Sequence, residues 1–115
     1  MSYAVDGNRI TLTRGDSLYV EIGLKRGTQT YTPQEGDKIR FALKSTKVVG
    51  GEYADKAPLI LKTIPNDTLL LHLAPGDTKP LPFGDYVYDV ELTYANGDVD
   101  TFITEAPFVL TREVH

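Results

Sequence analysis

The sequence predicts an all-β domain in which strands from two sheets enclose one core. Apolar residues recur at every second position along several segments, and turn-forming residues interrupt these segments about every ten residues. Pro65 and Pro75 leave too little room for a helix in the leucine-rich segment between them. At 115 residues, 41% of them hydrophobic, the chain is expected to form a single domain over residues 1–115. It contains no cysteine, so a disulfide framework and thiolate chemistry are excluded.

The N-terminal half contains two clear strand patterns and one weak one. The weak pattern covers residues 9–13, and the first clear one covers SLYVEIGLK, residues 17–25. The second is KIRFALK, residues 38–44. In both, one face is apolar and the other is polar or small, as expected for a half-buried antiparallel strand. The inward positions are Leu18, Val20, Ile22, Leu24, Ile39, Phe41 and Leu43.

Two further strands are expected at residues 59–64 and 68–74. Both segments carry apolar residues at successive positions, so the period-two pattern does not indicate which face is buried.

The clearest single element is a hairpin over residues 86–104. Asn96 and Gly97 form the dipeptide that favours a type I′ turn, in which both central residues have positive φ. With Ala95 opposite Asp98, the inner face pairs Tyr94 with Val99, Leu92 with Thr101 and Val90 with Ile103. The outer face then pairs Thr93 with Asp100, Glu91 with Phe102 and Asp89 with Thr104. Farther along, Pro107 predicts either an edge segment or a bulge in the last strand.

The densest acidic group lies on this hairpin. On the expected register Asp89, Glu91 and Asp100 share its outer face, and they are the candidate ligands for a hard cation such as Ca²⁺. The alternative is structural, because Lys38, Arg40 and Lys44 on a neighbouring strand would form cross-strand ion pairs with these carboxylates. We expect no metal ion and no cofactor.

No catalytic constellation is recognisable, and we expect a non-enzymatic protein. The only internal histidine, His72, lies in a leucine-rich strand and is expected to point outward or toward a loop. No glycine-flanked nucleophile elbow accompanies it. The tripeptide Arg14-Gly15-Asp16 occurs in adhesion ligands, but it also has the composition of an ordinary turn between strands.

The seven tyrosines divide into two groups. Tyr86, Tyr88 and Tyr94 fall on the inward register and are expected in the core. The candidates for an exposed interaction surface are Tyr19, Tyr31 and Tyr53. Because exposed aromatic rings are common in sugar sites, a carbohydrate-binding or adhesive module is the alternative function.

Two resemblances lead to a more specific interpretation. The segment PFGDYVYDV, residues 82–90, resembles the approach to strand F of immunoglobulin-type sandwiches, where a tyrosine corner precedes the strand. This implies that Tyr86 is the corner residue, with its hydroxyl bonded to the preceding connection. Tyr88 falls where antibody domains place their second cysteine, and Leu24 or Ile22 replaces the first. The implied fold is an immunoglobulin-like antiparallel β-sandwich of about seven to nine strands.

The C-terminal third also resembles small immunoglobulin-like domains of phages and prophages of Gram-positive bacteria, among them the N-terminal domain of the phage baseplate upper protein. The motifs that carry this likeness are YDVELT at 88–93, the Asn96-Gly97 turn, VDT at 99–101 and FVLTREV at 108–114; RGDSLYVEIGL and GDKIRFALK are similar to the opening strands of the group. The resemblance implies a structural part of a tail, baseplate or decoration that contacts other virion or tail proteins, and it is compatible with homo-oligomers.

Charge and hydropathy add expectations about partners and location. The formal net charge of −4 disfavours nucleic acid as a partner. No apolar stretch reaches the roughly 18 residues that a membrane span needs, and the N-terminus lacks a signal-peptide pattern. We therefore expect synthesis in the cytoplasm and no membrane contact, and the resemblance to phage domains implies later assembly into a virion.

Overall fold

The computed structural model describes residues 3–45 and 59–112, and these residues form mostly β-strands, as the sequence predicts. A single turn of helix, α1 (Pro75–Thr78), lies between the eighth and ninth strands. The strands of the described residues are β1 (Tyr3–Asp6), β2 (Arg9–Thr13), β3 (Leu18–Glu21), β4 (Lys25–Arg26), β5 (Gln29–Thr30), β6 (Lys38–Ser45), β7 (Ile60–Ile64), β8 (Leu70–Leu73), β9 (Gly84–Thr93) and β10 (Val99–Thr111).

The strands form one large sheet, one small sheet and a short hairpin. The large sheet has six strands in the order β1-β2-β10-β9-β6-β7, the small sheet pairs β3 with β8, and β4 pairs with β5. All pairs are antiparallel except β2 and β10, where Phe108 lies opposite Ile10 in a parallel ladder. The expectation of an entirely antiparallel arrangement is therefore wrong at this pair. Parallel neighbours need a long crossover connection, and here most of the chain lies between the two strands.

The described residues contain more strands than the expected seven to nine. One unexpected strand is β1, which joins β2 through a two-residue turn at Gly7 and Asn8. Gly7 has a φ of 60°, as the first central residue of a type II′ hairpin turn requires. The other additions, β4 and β5, contain two residues each. Strands this short contain too few residues for a period-two pattern to reveal them.

The strand expected in SLYVEIGLK is shorter than its sequence pattern. It ends at Glu21, although the apolar side of the pattern continues, since Ile22 and Leu24 are buried. The backbone N–H of Ile22 still donates to the Leu69 carbonyl at 2.8 Å.

The hairpin of β9 and β10 forms, but its turn is not type I′. Gly97 has a φ of 94° and donates its N–H to the Tyr94 carbonyl at 2.9 Å, whereas Asn96 does not have a positive φ. This is a three-residue loop, a type I turn followed by a left-handed glycine. Val99 consequently pairs with Thr93 rather than with Tyr94. A register shift after Thr101 then restores the expected pairing of Val90 with Ile103.

A second irregularity in β10 precedes Pro107. The register shifts again between Ile103 and Ala106, and Glu105 adopts a φ of 48°. The bulge that Pro107 predicts is therefore present, but β10 is not an edge strand, because it lies between β9 and β2. Pairing with β2 starts only at Phe108, so the missing N–H of the proline removes no donor from that ladder.

Side chains from both sheets form one buried cluster. At its centre the rings of Phe41, Tyr88 and Phe108 contact one another, with centroids 5.4 to 6.2 Å apart. The hydroxyl of Tyr88 donates to the backbone carbonyl of Asn8, and burial raises the pKa of this phenol to about 12. The alternation of the sequence predicts which face of β6 and of β9 is buried, and the structure confirms it. The buried residues on these faces are Ile39, Phe41, Leu43, Tyr86, Tyr88, Val90 and Leu92.

Candidate functional site

The three candidate cation ligands do not form a site. Directly opposed residues lie on the same face of a sheet, and Asp100 is opposite the buried Leu92, so it lies on the core side near the sheet margin. There it accepts a hydrogen bond from the Tyr94 hydroxyl at 3.2 Å. Asp89 and Glu91 lie on the solvent side. The expected common face is wrong because a one-residue change of register moves a side chain to the opposite face.

The structural alternative for these carboxylates holds at one pair. The Nζ of Lys44 lies 3.1 Å from Asp89 Oδ2, and Glu91 is directly opposite Arg40 on β6. Asp89 also accepts the backbone N–H of Glu105 at 2.7 Å, which anchors the bulge of β10. Within residues 3–45 and 59–112, no three His, Asp or Glu side chains are grouped as metal ligands.

His72 points outward from β8, as expected. Its ring stacks on that of Tyr19 in β3, with centroids 4.2 Å apart and planes 18° apart. Its Nδ1 is 3.2 Å from the Leu18 carbonyl oxygen. These contacts make His72 part of an aromatic pair on the outer face of the small sheet.

The other tyrosines follow the sequence prediction only in part. Tyr86 and Tyr88 are buried, and Tyr94 is half-buried against the core. Tyr19 is 45% exposed, whereas Tyr31 is half-buried. The third candidate for exposure, Tyr53, lies outside the described residues.

The hydrogen bond that the first resemblance implies for Tyr86 is present. The Tyr86 hydroxyl donates to the carbonyl of Pro82, in the connection that precedes β9. Burial raises the pKa of Tyr86 above its ordinary value. Beside it, a cleft of about 430 Å³ is lined in part by Leu81 and Phe83, and the guanidinium of Arg112 lies 5.0 Å from the Phe83 ring centroid.

The Arg14-Gly15-Asp16 segment is a turn fastened to the rest of the domain. The side chain of Arg14 donates to the Leu81 carbonyl at 3.3 Å, and the Gly15 N–H donates to the hydroxyl of Thr78 at 2.8 Å. Thr78 is completely buried at the end of α1. The tripeptide therefore has the structural role expected of a turn between strands.

The two edge strands of the large sheet differ in how they are protected. On β7, Lys62 is opposite the buried Phe41, so it is on the core side, and its Nζ lies 3.0 Å from Asp77 Oδ2. An inward-facing lysine on an edge strand is a common obstacle to the addition of another strand. On β1, the two core-side positions are instead Tyr3 and Val5. Both are exposed, at 37% and 46%.

Among residues 3–45 and 59–112, β1 pairs only with β2, so its other side presents backbone hydrogen-bonding groups. In a two-residue hairpin the closing residues, here Asp6 and Arg9, form a hydrogen-bonded pair, and such pairs alternate with non-bonded ones. Ala4 is therefore bonded to β2, whereas the N–H and C=O groups of Tyr3 and Val5 point away from it. The Tyr3 hydroxyl reaches across to the Tyr19 carbonyl at 3.1 Å, which places the aromatic pair of the small sheet beside this edge.

A second candidate site lies around Tyr31. Gln29, Thr30, Tyr31 and Tyr94 line a cleft of about 230 Å³. The Tyr31 hydroxyl donates to Asp37 Oδ2 at 2.6 Å. The pKa of Asp37 lies below its ordinary value, chiefly because of this bond and then because the Gln34 N–H also donates to the carboxylate. Sequence reasoning identified Tyr31 but not the cleft, because Tyr94 approaches it only in the folded chain.

Sequence reasoning also missed β1, although the Asp6-Gly7 pair is a recognised hairpin signal. No helix in the described part of the chain is long and apolar enough to cross a membrane. Comparisons with protein-family models, with curated proteins and with solved structures return no significant match.

Proposed function

We propose that this protein is a non-enzymatic interaction module of a phage or prophage particle, with an immunoglobulin-like β-sandwich fold. In this proposal it binds another protein of the tail, baseplate or decoration by accepting an extended segment along β1. The resemblance of the C-terminal third to phage domains supports the setting, and the open edge at β1 supports the mode of binding.

Three features support the immunoglobulin-like assignment. Two sheets share one core, the Tyr86 hydroxyl donates to the Pro82 carbonyl as a tyrosine corner would, and Tyr88, which the resemblance aligns with the usual second cysteine, is buried. In antibody domains a disulfide links the two sheets at this level. Here the aromatic contacts of Tyr88 with Phe41 and Phe108 fill the core instead.

The observation that carries the binding proposal is the contrast between β1 and β7. Open edges invite pairing with other chains, and folded proteins usually protect them. Within the described part of the chain, Lys62 protects β7, whereas β1 has Tyr3 and Val5 at its core-side positions, and both are partly exposed. An added strand would bond to the N–H and C=O groups of these two residues and cover their side chains. Strand addition of this kind obtains affinity from the main chain and specificity from alternate side chains.

The proposed partner is a segment with apolar side chains at alternate positions. On an added strand, the residues on the core side would contact Tyr3 and Val5 and approach Tyr19 across the edge. A second copy of the chain would satisfy the same backbone groups, so self-association is one form of the proposed interaction.

The test uses Val5→Pro with Val5→Thr as the matched control. Proline removes the outward N–H of residue 5 but no hydrogen bond to β2, and threonine keeps both the donor and the preference for a strand. Particles induced from the strain that encodes the chain are incubated with each purified variant and sedimented in a density gradient. We expect wild-type and Val5→Thr to sediment with particles and Val5→Pro to stay at the top; light scattering of each variant detects self-association.

Two outcomes contradict this proposal. If the wild-type protein does not sediment with the particles and is also monomeric at high concentration, the interaction function is wrong. If Val5→Pro binds as tightly as Val5→Thr, the partner does not pair with β1. A genomic position between tail or capsid genes would support the virion setting, and a position remote from such genes would argue against it.

A further inference from the structure

We propose that a second copy of this chain occupies β1 in the free protein, in a dimer whose two β1 strands pair antiparallel about a two-fold axis. The inference rests on the proposed function, since both use β1 as an open edge. It adds a regulation of that edge. The free chain covers β1 with its own copy, and a partner segment has to displace that copy before it can bind.

The backbone of β1 fits a second copy of itself. The N–H and C=O groups of Tyr3 and Val5 point away from β2, whereas those of Ala4 bond to it. When the axis passes beside Ala4, Tyr3 of each copy lies opposite Val5 of the other. Both are positions at which an antiparallel pair exchanges its hydrogen bonds, so the outward groups of the two residues all gain partners.

The side chains of β1 are also complementary to those of a second copy. An axis normal to the sheet keeps the core sides of both copies together, so Tyr3 of one copy would contact Val5 of the other. An aromatic ring opposite a β-branched side chain is a favourable cross-strand pair. Tyr3 and Val5 are partly exposed, so the small sheet does not cover them fully. On the outer side Ala4 meets Ala4, and two methyl groups fit the close spacing of a non-bonded pair.

This register pairs more of β1 than the adjacent registers do. An axis beside Val5 would set Tyr3 opposite Gly7, which lies in the turn with a φ of 60°. An axis beside Tyr3 would pair only Tyr3 with itself among the residues of β1. The axis beside Ala4 pairs Tyr3, Ala4 and Val5 of each copy.

The charges of the first hairpin compensate each other. Its one acidic and one basic residue, Asp6 and Arg9, lie directly opposite each other on β1 and β2. In the proposed register the two Asp6 residues are separated by four positions along the strands, about 14 Å. Two chains with a formal charge of −4 each can therefore meet at a locally neutral edge.

The short length of β1 limits the strength of the dimer. Stable interfaces bury about 1,200 to 2,000 Å², and the pairing of three residues from each copy is smaller. The dimer should therefore dissociate readily, as a displaceable cover requires. In sedimentation velocity we expect the mass of wild-type to rise from monomer at about ten micromolar toward dimer at about one millimolar. Val5→Thr should behave like wild-type, and Val5→Pro should stay monomeric.

The decisive test places one cysteine at the axis, because the chain has none of its own. In Ala4→Cys the two Cα atoms would be about 4.5 Å apart, within the range that a disulfide spans. Asp6→Cys is the matched control, since Asp6 is also exposed and lies on the same side of β1. Its two sulfur atoms would be too far apart to bond.

Both cysteine variants are oxidised in a glutathione redox buffer and run on a non-reducing gel. We expect Ala4→Cys to become mostly covalent dimer and Asp6→Cys to remain mostly monomer. Adding Val5→Pro to Ala4→Cys should lower the dimer to the level of the control. In the particle sedimentation assay the oxidised Ala4→Cys dimer should stay at the top of the gradient, and the reduced variant should sediment with the particles.

The inference is overturned if wild-type stays monomeric over the whole concentration range, or if Ala4→Cys and Asp6→Cys crosslink equally. It is also overturned if Val5→Pro leaves the crosslink unchanged, or if the oxidised dimer binds particles as well as the reduced chain. A crosslink at Ala4→Cys without particle binding by either form would instead contradict the contact with a particle protein and leave the dimer standing. Particle binding without the crosslink would contradict the dimer alone.

Discussion

The hydroxyl of Tyr88, in the middle of the core, donates to the backbone carbonyl of Asn8, a residue 80 positions away in the turn between β1 and β2. This bond ties the first hairpin to the central strand β9. It also satisfies the polar end of a side chain that is 1% exposed. Because an unpaired hydroxyl is unfavourable in an apolar interior, the bond makes a tyrosine compatible with this position.

Removing that hydroxyl should destabilise the domain. Tyr88→Phe keeps the ring and its contacts with Phe41 and Phe108, so the change isolates the bond to Asn8. We expect the free energy of unfolding in urea to fall by about 1 to 2 kcal/mol. Tyr3→Phe removes a hydroxyl from an exposed bond and should lower it by less than about 0.5 kcal/mol. Equal effects of the two changes would contradict this account.

The pKa of Tyr88 predicts how stability depends on alkaline pH. Burial raises this pKa from 10.0 to about 12 in the folded chain. Between these values the unfolded chain has released the proton and the folded chain retains it, so stability falls as pH rises, by up to about 1.4 kcal/mol per pH unit. Below pH 10 this contribution is fully present. Urea titrations at several pH values should show a shallower decline for Tyr88→Phe, and an equal slope would be inconsistent with the burial of this phenol.

The hydrogen bond between Thr78 and Gly15 predicts that removing the Thr78 hydroxyl lowers the free energy of unfolding. Thr78→Val preserves the shape of a fully buried side chain but removes the acceptor for the Gly15 N–H. We expect the free energy of unfolding, measured in urea, to fall by about 1 to 3 kcal/mol. Thr78→Ser keeps the hydroxyl, so it should lower the free energy of unfolding by less than Thr78→Val does. If serine proves more disruptive than valine, packing rather than the hydrogen bond decides the effect.

Asp37 predicts a contribution to stability that is lost in acid. Its carboxylate accepts bonds from the Tyr31 hydroxyl and the Gln34 N–H, which hold its pKa below the ordinary value of 3.8. The stabilisation is therefore present above that pH and disappears as pH falls through the lowered folded pKa. Asp37→Asn should lower the thermal midpoint at pH 7, and the gap from wild-type should narrow in acid.

The control for this prediction is Asp67→Asn, which changes an exposed side chain. It should leave the thermal midpoint close to that of wild-type at pH 7 and in acid. A gap for Asp37→Asn that stays constant with pH would show that the carboxylate charge is not responsible.

The class of the fold and the buried face of its clearest strands follow from the pattern of apolar residues alone. In β6 and β9 every second residue is apolar, and those residues are the buried ones. The hydrogen bond of Tyr86 to Pro82, four residues away, is what the resemblance to immunoglobulin-type sandwiches implies. Local chemistry predicts an edge or a bulge at Pro107, since proline cannot donate to a ladder, and the bulge is present.

Which strands are neighbours, and which surfaces of the described residues stay open, depends instead on contacts between distant parts of the chain. The parallel pairing of β2 with β10 joins the two ends of the chain, and no local pattern specifies it. The exact turn at Gly97 moved Asp100 to the core side, because a slip of one residue reverses the face of a side chain. The meeting of Tyr31 with Tyr94 and the exposure of Tyr3 on β1 likewise depend on contacts between distant segments, so the candidate sites emerged only from the folded chain.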